Sequence, residues 1–298
     1  MALRSLTPGA GGDGKDGAEM IHVRQAAVAG HFYPQSKAEL LREVHEFLGG
    51  GPRSGPQSGP QIVRVRALGV IAPHAGYMYS GAVAGAVYAH VEVPHRVIVL
   101  CPNHTGMGEP LAITSAGSFR TPLGDVPIDS ALAEALKQAF PLLREDTAAQ
   151  LREHAVEVQL PFLQAVQPDL RFVPITVGTG KFEVLTALGV VLAKVIGECG
   201  EAVLMIASSD MNHYEDEAET RVKDALAIEQ VLGLQPKGLF QTVHSQNISM
   251  CGYGPAIAML TAALRLGATR AELVKYATSG DVSGDREHVV GYAGIAVV

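Results

Sequence analysis

The sequence predicts a single α/β domain with a mostly parallel or mixed central sheet and helices on both faces. Three observations carry that expectation. From Arg66 onward, strand patterns alternate with helical ones, the order of βα units rather than of a bundle or a sandwich. Val97-Ile-Val-Leu and Ala202-Val-Leu-Met-Ile-Ala are continuous apolar runs, as parallel strands buried on both faces should be. Each run ends in residues with ligand chemistry, and open α/β sheets keep their sites at strand exits.

The elements follow in order. Residues 1–20 are glycine-rich without hydrophobic periodicity and read as a disordered tail, leaving one domain over residues 21–298. Ser36 and Glu39 form a capping-box pattern ahead of Leu40, Leu41, Val44, Phe47 and Leu48, and Gly49 stops that helix. Residues 49–60, rich in Gly, Pro and Ser, read as a flexible surface loop. The pattern then gives strand 66–72, helix 81–91, strands 96–101 and about 110–114, helices 129–140 and 154–166, strand 171–177 and helix 183–198. Strand 202–208, helices 216–232, 236–244 and 254–266, and strands 272–278 and 289–297 complete it.

Composition narrows the function classes. Hydrophobic residues make up 47% and charged residues 18% of the chain, a globular balance with no apolar run long enough to cross a bilayer. The start lacks a secretory apolar core, so the expected location is the cytoplasm, without a membrane partner. A net charge of -7 argues against a nucleic-acid partner. Three cysteines, Cys101, Cys199 and Cys251, are too few for a disulfide framework and fit a reducing compartment.

His74 and His104 stand at equivalent strand exits, in Ala72-Pro-His74-Ala-Gly and Pro102-Asn-His104. Neutral imidazole is a common metal ligand, so the pair reads either as a shared metal site or as two loop caps. Ser208-Ser-Asp210-Met-Asn-His213 adds a carboxylate and an imidazole at a third exit, fit for acid-base work, with an ordinary helix cap as the alternative for Asp210. Cys251 precedes an apolar helix whose N-terminus is expected to lower the thiol pKa; the alternative is a small buried hydrophobe. His154 and Glu157 are three apart on a predicted helix, either a second acid-base set or a solvated face. Asp281 and Asp285 sit in a glycine-rich stretch that turn chemistry explains.

Together these segments resemble Memo proteins, called AmmeMemoRadiSam system protein B in prokaryotes. The resemblance spans Arg24 to Val298 and rests on Ala29-Gly-His-Phe-Tyr-Pro34, Ala72 to Gly81, Pro102-Asn-His104, Phe119 to Gly124, Glu153 to Glu157, Ser208 to His213 and Met250-Cys-Gly252. It implies a fold similar to class III extradiol dioxygenases, non-haem iron enzymes that open catechol-like rings. It implies His74, His104 and Cys251 as metal positions, with Asp210 and His213 lining the same pocket; the catalytic candidates are Asp210 and His213 together with His154 from its own spacing. Those dioxygenases use two histidines and a carboxylate, whereas this chain offers Cys251, which favours copper or zinc, or iron of altered redox behaviour. The expected function is a metal-dependent, dioxygenase-like oxidoreductase with iron as cofactor and copper or zinc as alternatives. A non-catalytic adaptor that binds a peptide or protein in the same pocket is the competing reading. The family name associates a radical-SAM protein and an AMMECR1-type protein as partners.

Overall fold

The computed structural model describes residues 22–49 and 64–298. The expected tail, residues 1–20, and all but the first residue of the expected loop 49–60 lie outside the described residues. Strand β1 (Val23–Arg24) and helix α1 (Lys37–Phe47) come first. Ser36 holds the N-cap position of α1, but its side chain makes no capping bond, a correction to the capping-box reading. The first turn closes through the backbone, Leu40 N–H donating to the Ser36 carbonyl at 2.9 Å, while Leu40 and Val44 bury the helix.

Strand β2 (Gly69–Ala72) stops before Pro73, and α2 (Tyr77–His90) begins earlier than the expected residue 81. The glycine-containing run that reads as loop is helical because Tyr77 N–H donates to the Phe32 carbonyl at 2.7 Å. Gly81 and Gly85 serve packing rather than a break: a Cβ on Gly85 would lie 2.6 Å from the Phe47 backbone, so only glycine lets α1 approach α2 so closely. Next come β3 (Arg96–Pro102), β4 (Leu111–Ile113) and an unexpected hairpin, β5 (Ser118–Thr121) with β6 (Gly124–Pro127). Helix α3 (Ser130–Ala139) is capped by Asp129, whose side chain accepts from Leu132 N–H at 3.1 Å.

After β7 (Arg144–Glu145) and α4 (Ala148–Leu151), the expected helix 154–166 is broken into α5 (His154–Glu157) and α6 (Leu160–Val166). Pro161 supplies the reason: without an N–H it cannot continue the ladder from the turn before it, and it fits at the start of a new helix. The rest follows the expected order: β8 (Arg171–Val177), α7 (Phe182–Glu198), β9 (Val203–Ser208), a short β10 (His213–Glu215), α8 (Glu217–Leu232), α9 (Pro236–Ser245) and α10 (Tyr253–Arg265). Strand β11 (Ala271–Thr278), α11 (Gly280–Ser283) and β12 (Val289–Val297) end the chain.

The main sheet runs β10-β12-β2-β9-β3-β8-β4-β7, with β11 paired to β12, while β1-β5-β6 form a small second sheet. Strands β2, β9, β3 and β8 are mutually parallel, and β12 and β4 flank them antiparallel, so the sheet is mixed. Alternation along the strands sends Ile71, Ile98, Leu100 and Met205 into a core with α3, α7, α8, α9 and α10. Val70, Val97, Val99 and Ile206 face the other way, into a core with α1, α2, α5 and α6. This is one α/β domain with helices on both faces of its sheet. Because β2, β9 and β3 are adjacent and parallel, the residues after Ala72, Ser208 and Pro102 emerge on one side. Among the described residues no helix is long and apolar enough to cross a membrane.

Candidate functional site

At those exits lies a cavity of about 560 Å³ lined by His74, His104, His154, Asp210, His213 and Cys251, with Phe32, Tyr214 and Tyr292 completing its wall. The proposed metal positions His74, His104 and Cys251 and the catalytic candidates Asp210, His213 and His154 are therefore in one place, while Glu157 is not among the lining residues. His74, His104 and His154 each present one ring nitrogen so that the three lie within 4.8 Å of one another. The His104 and His154 rings stack at 4.7 Å between centroids, and His74 crosses both nearly edge-on. Cys251 Sγ is 3.2 Å from His74 Nε2.

The sequence hides what holds these rings. Glu153, fully buried at the N-cap of α5, accepts from His104 N–H at 2.7 Å through Oε2 and contacts His104 Nδ1 at 2.9 Å through Oε1. Because a carboxylate accepts, Nδ1 carries the proton and His104 Nε2 keeps its lone pair. His213 is held the same way, its Nδ1 lying 3.0 Å from the Ser249 carbonyl. Phe32 reaches the cavity because the neighbouring chain is anchored to Glu157, which accepts from Arg24, Ala27 N–H, Val28 N–H and the Tyr33 hydroxyl. Glu157 is fully buried in that anchor and lies on no solvated face. Glu153, Ser208 and Phe32 stand inside the segments that carry the family resemblance, but nothing in those segments showed what their side chains hold; Gln159 and Tyr292 had no distinguishing signal.

Burial sets the electrostatics. It holds His74 well below the usual imidazole pKa, reinforced by the surrounding histidines, and lowers His154 and His213 as well. For His104 the same burial is outweighed by the Glu153 hydrogen bond and charge, leaving its pKa raised. Asp210 is no helix cap: Oδ1 accepts from His74 N–H at 2.8 Å, while the next helix is capped by Asp216. Burial pushes Asp210 up to about 7. The expected lowering of the Cys251 pKa is reversed, because burial first and the Asp210 charge second raise the thiol. The Gly252 N–H at the start of α10 donates to Ser209 Oγ at 3.0 Å, so the helix end spends that donor elsewhere. The neutral Cys251 thiol lies 3.2 Å from His74 Nε2 and 3.7 Å from the Asp210 carbonyl oxygen. The donor set is thus imidazole nitrogens plus one thiol, which suits iron, copper or zinc.

Comparison with known proteins gives the relationship. The sequence profile of a family described as Memo-like protein matches residues 24–296. The MEMO1 family protein MTH_45 of Methanothermobacter thermautotrophicus is 40% identical over 91% of this chain and 99% of its own. MK0963 of Methanopyrus kandleri, also named a MEMO1 family protein, is 42% identical over 91% of this chain and 98% of its own. Among solved structures, uncharacterized protein JW3007 from Escherichia coli K12 superposes with a TM-score of 0.53 at 13% identity, covering 78% of this chain and all of that one, a likeness of fold alone.

Proposed function

The chain belongs to the Memo-like family, and from that premise we propose that it is a metal-dependent redox enzyme acting on a small molecule in the histidine cavity. The observation that carries the reading is the convergence of His74, His104 and His154 beside the Cys251 thiol, with the Nδ1 of His104 already committed to Glu153. Ligand groups prearranged around one point are what a metal site needs. His74 and His104 hold the ion, iron by preference and copper or zinc as competitors, with Cys251 as third ligand. The 4.8 Å spacing favours a rival assignment in which His154 takes the third place. Bound there, the ion supplies redox and Lewis-acid chemistry.

The chain's own residues do the rest. Asp210, with a pKa near 7, is matched to exchange a proton with substrate at neutral pH. His213 donates Nδ1–H to Ser249 and so keeps Nε2 free as a second proton acceptor. Phe32, Tyr214 and Tyr292 offer an aromatic wall to a ring or an apolar side chain. The fold that the family resemblance implies, similar to that of ring-opening dioxygenases, makes catechol-like molecules the first substrates to try.

The test is metal analysis of protein purified without added metal, alongside Cys251→Ser, His154→Ala and His213→Ala. A bound ion would displace the proton of the Cys251 thiol far more readily than that of a serine hydroxyl, so Cys251→Ser should lose most bound metal while His154→Ala retains it; the reverse result assigns the third place to His154. His213→Ala should keep metal and lose oxygen uptake with catechols. Wild-type protein that binds metal yet consumes no oxygen with any catechol or small reductant sinks the enzyme reading.

A further inference from the structure

Ser208 is fully buried at the end of β9, and its hydroxyl has polar neighbours on three sides. The Ala155 carbonyl is 2.7 Å from Oγ. A carbonyl only accepts, and two oxygens so close without a proton between them repel, so the single hydroxyl hydrogen is committed there. Gln159 Nε2 donates to Oγ at 2.8 Å. Its amide cannot be reversed, because Nε2 also faces the Pro73 carbonyl at 3.0 Å while Oε1 accepts from the Tyr88 hydroxyl at 2.6 Å. With its hydrogen spent, Oγ can only accept from the remaining neighbour, His74 Nδ1 at 2.9 Å.

We propose that Ser208 is a positioning residue that fixes His74 as the Nδ1–H tautomer and so keeps its Nε2 lone pair turned toward Cys251 and the other histidines. Glu153 does this for His104 and the Ser249 carbonyl for His213, so acceptors of different chemistry impose one tautomer around the cavity. Ser208 also ties the rings to one another. The carbonyl it grips belongs to Ala155, which follows His154 on α5, and the same helix is capped by Glu153. One hydroxyl therefore joins the strand beside His74 to the segment that carries His154 and holds His104. The geometry stands by itself, while its consequence for metal affinity rests on the metal-site reading above.

The test reads tautomers directly, by long-range ¹⁵N–¹H correlation spectra of ¹⁵N-histidine-labelled, metal-free protein near neutral pH, with His74 assigned through His74→Gln. Wild type should show His74 protonated at Nδ1; protonation at Nε2 overturns the proposal whether or not any variant folds. Ser208→Ala should shift His74 toward Nε2–H and weaken Co(II) binding by about 10–100-fold, the usual cost of losing a partner that orients a ligand. Gln159→Leu disturbs the same buried network but leaves His74 its acceptor, so its tautomer should hold. A shift in Gln159→Leu as large as in Ser208→Ala would mean general loosening and would remove Ser208 from the role. If wild type shows the Nδ1–H tautomer yet binds no Co(II), the tautomer inference stands and the metal reading falls.

Discussion

Glu153 has no exposed surface and spends both oxygens on His104 while also accepting from Ala155 N–H at 2.9 Å. Burial alone would raise its pKa, yet the His104 contacts leave it lowered, so the carboxylate stays ionised and the imidazole it grips is made more basic. Glu153→Gln keeps the shape and removes the charge, and its NH₂ must face at least one of the donors the carboxylate accepted. We predict that His104 then titrates lower, because burial is no longer offset, and that metal affinity falls about 10–100-fold. Unfolding should become easier by about 1–3 kcal/mol for the buried mismatch. Histidine NMR titration, metal titration and denaturant melts check these outcomes; an unchanged His104 titration would show that Glu153 does not set its basicity.

At the scale of elements, the strands were the most legible part of the chain. Residues 171–177 and 289–297 form strands with the expected bounds because an apolar run buried on both faces has few other places to go. The hairpin Ser118–Pro127 was invisible, since its strands are short and mix buried with exposed residues. The start of α2 was misjudged because Gly76 and Gly81 resemble loop residues, and only the distant Phe32 carbonyl and Phe47 ring explain them. The candidate site was legible as a set of side chains at strand exits. Its supporting bonds were not, because Glu153, Ser208 and Gln159 act through partners 49 or more residues away. A glycine pair tests this packing account. Gly85→Ala drives a methyl into the Phe47 backbone and should destabilise by about 1–3 kcal/mol. Gly197→Ala, in the last turns of α7 with nothing within 4 Å of the new methyl, should stabilise by about 0.5–1 kcal/mol. Equal effects in urea melts would contradict the account.

For the whole molecule, Asp224 links folding to pH. It stands on α8, accepts from Asn212 N–H at 2.8 Å and from the Tyr276 hydroxyl at 2.7 Å, and lies under Gly291 of β12. It thereby joins the loop that carries Asp210 and leads into His213 of β10 to the last strands of the sheet. Burial raises its pKa from 3.8 to about 6 despite both hydrogen bonds. Between those values the folded chain keeps a proton that the unfolded chain has released, so this group's contribution to stability falls as pH rises through the window and levels off above it. Surface carboxylates such as Asp125 and Glu215 have lowered values and contribute with the opposite sign, gaining stability as pH rises from acid. The wild-type curve mixes both, so the informative quantity is a difference. Asp224→Asn cannot ionise, keeps an oxygen for Asn212, and turns an NH₂ toward Tyr276, whose hydroxyl can rotate to accept it. We predict that its stability relative to wild type rises between pH 4 and 6 by on the order of 2 kcal/mol and is flat above pH 7. Urea denaturation of both proteins across that range decides it: a difference independent of pH would mean that Asp224 is already ionised in the fold at pH 4.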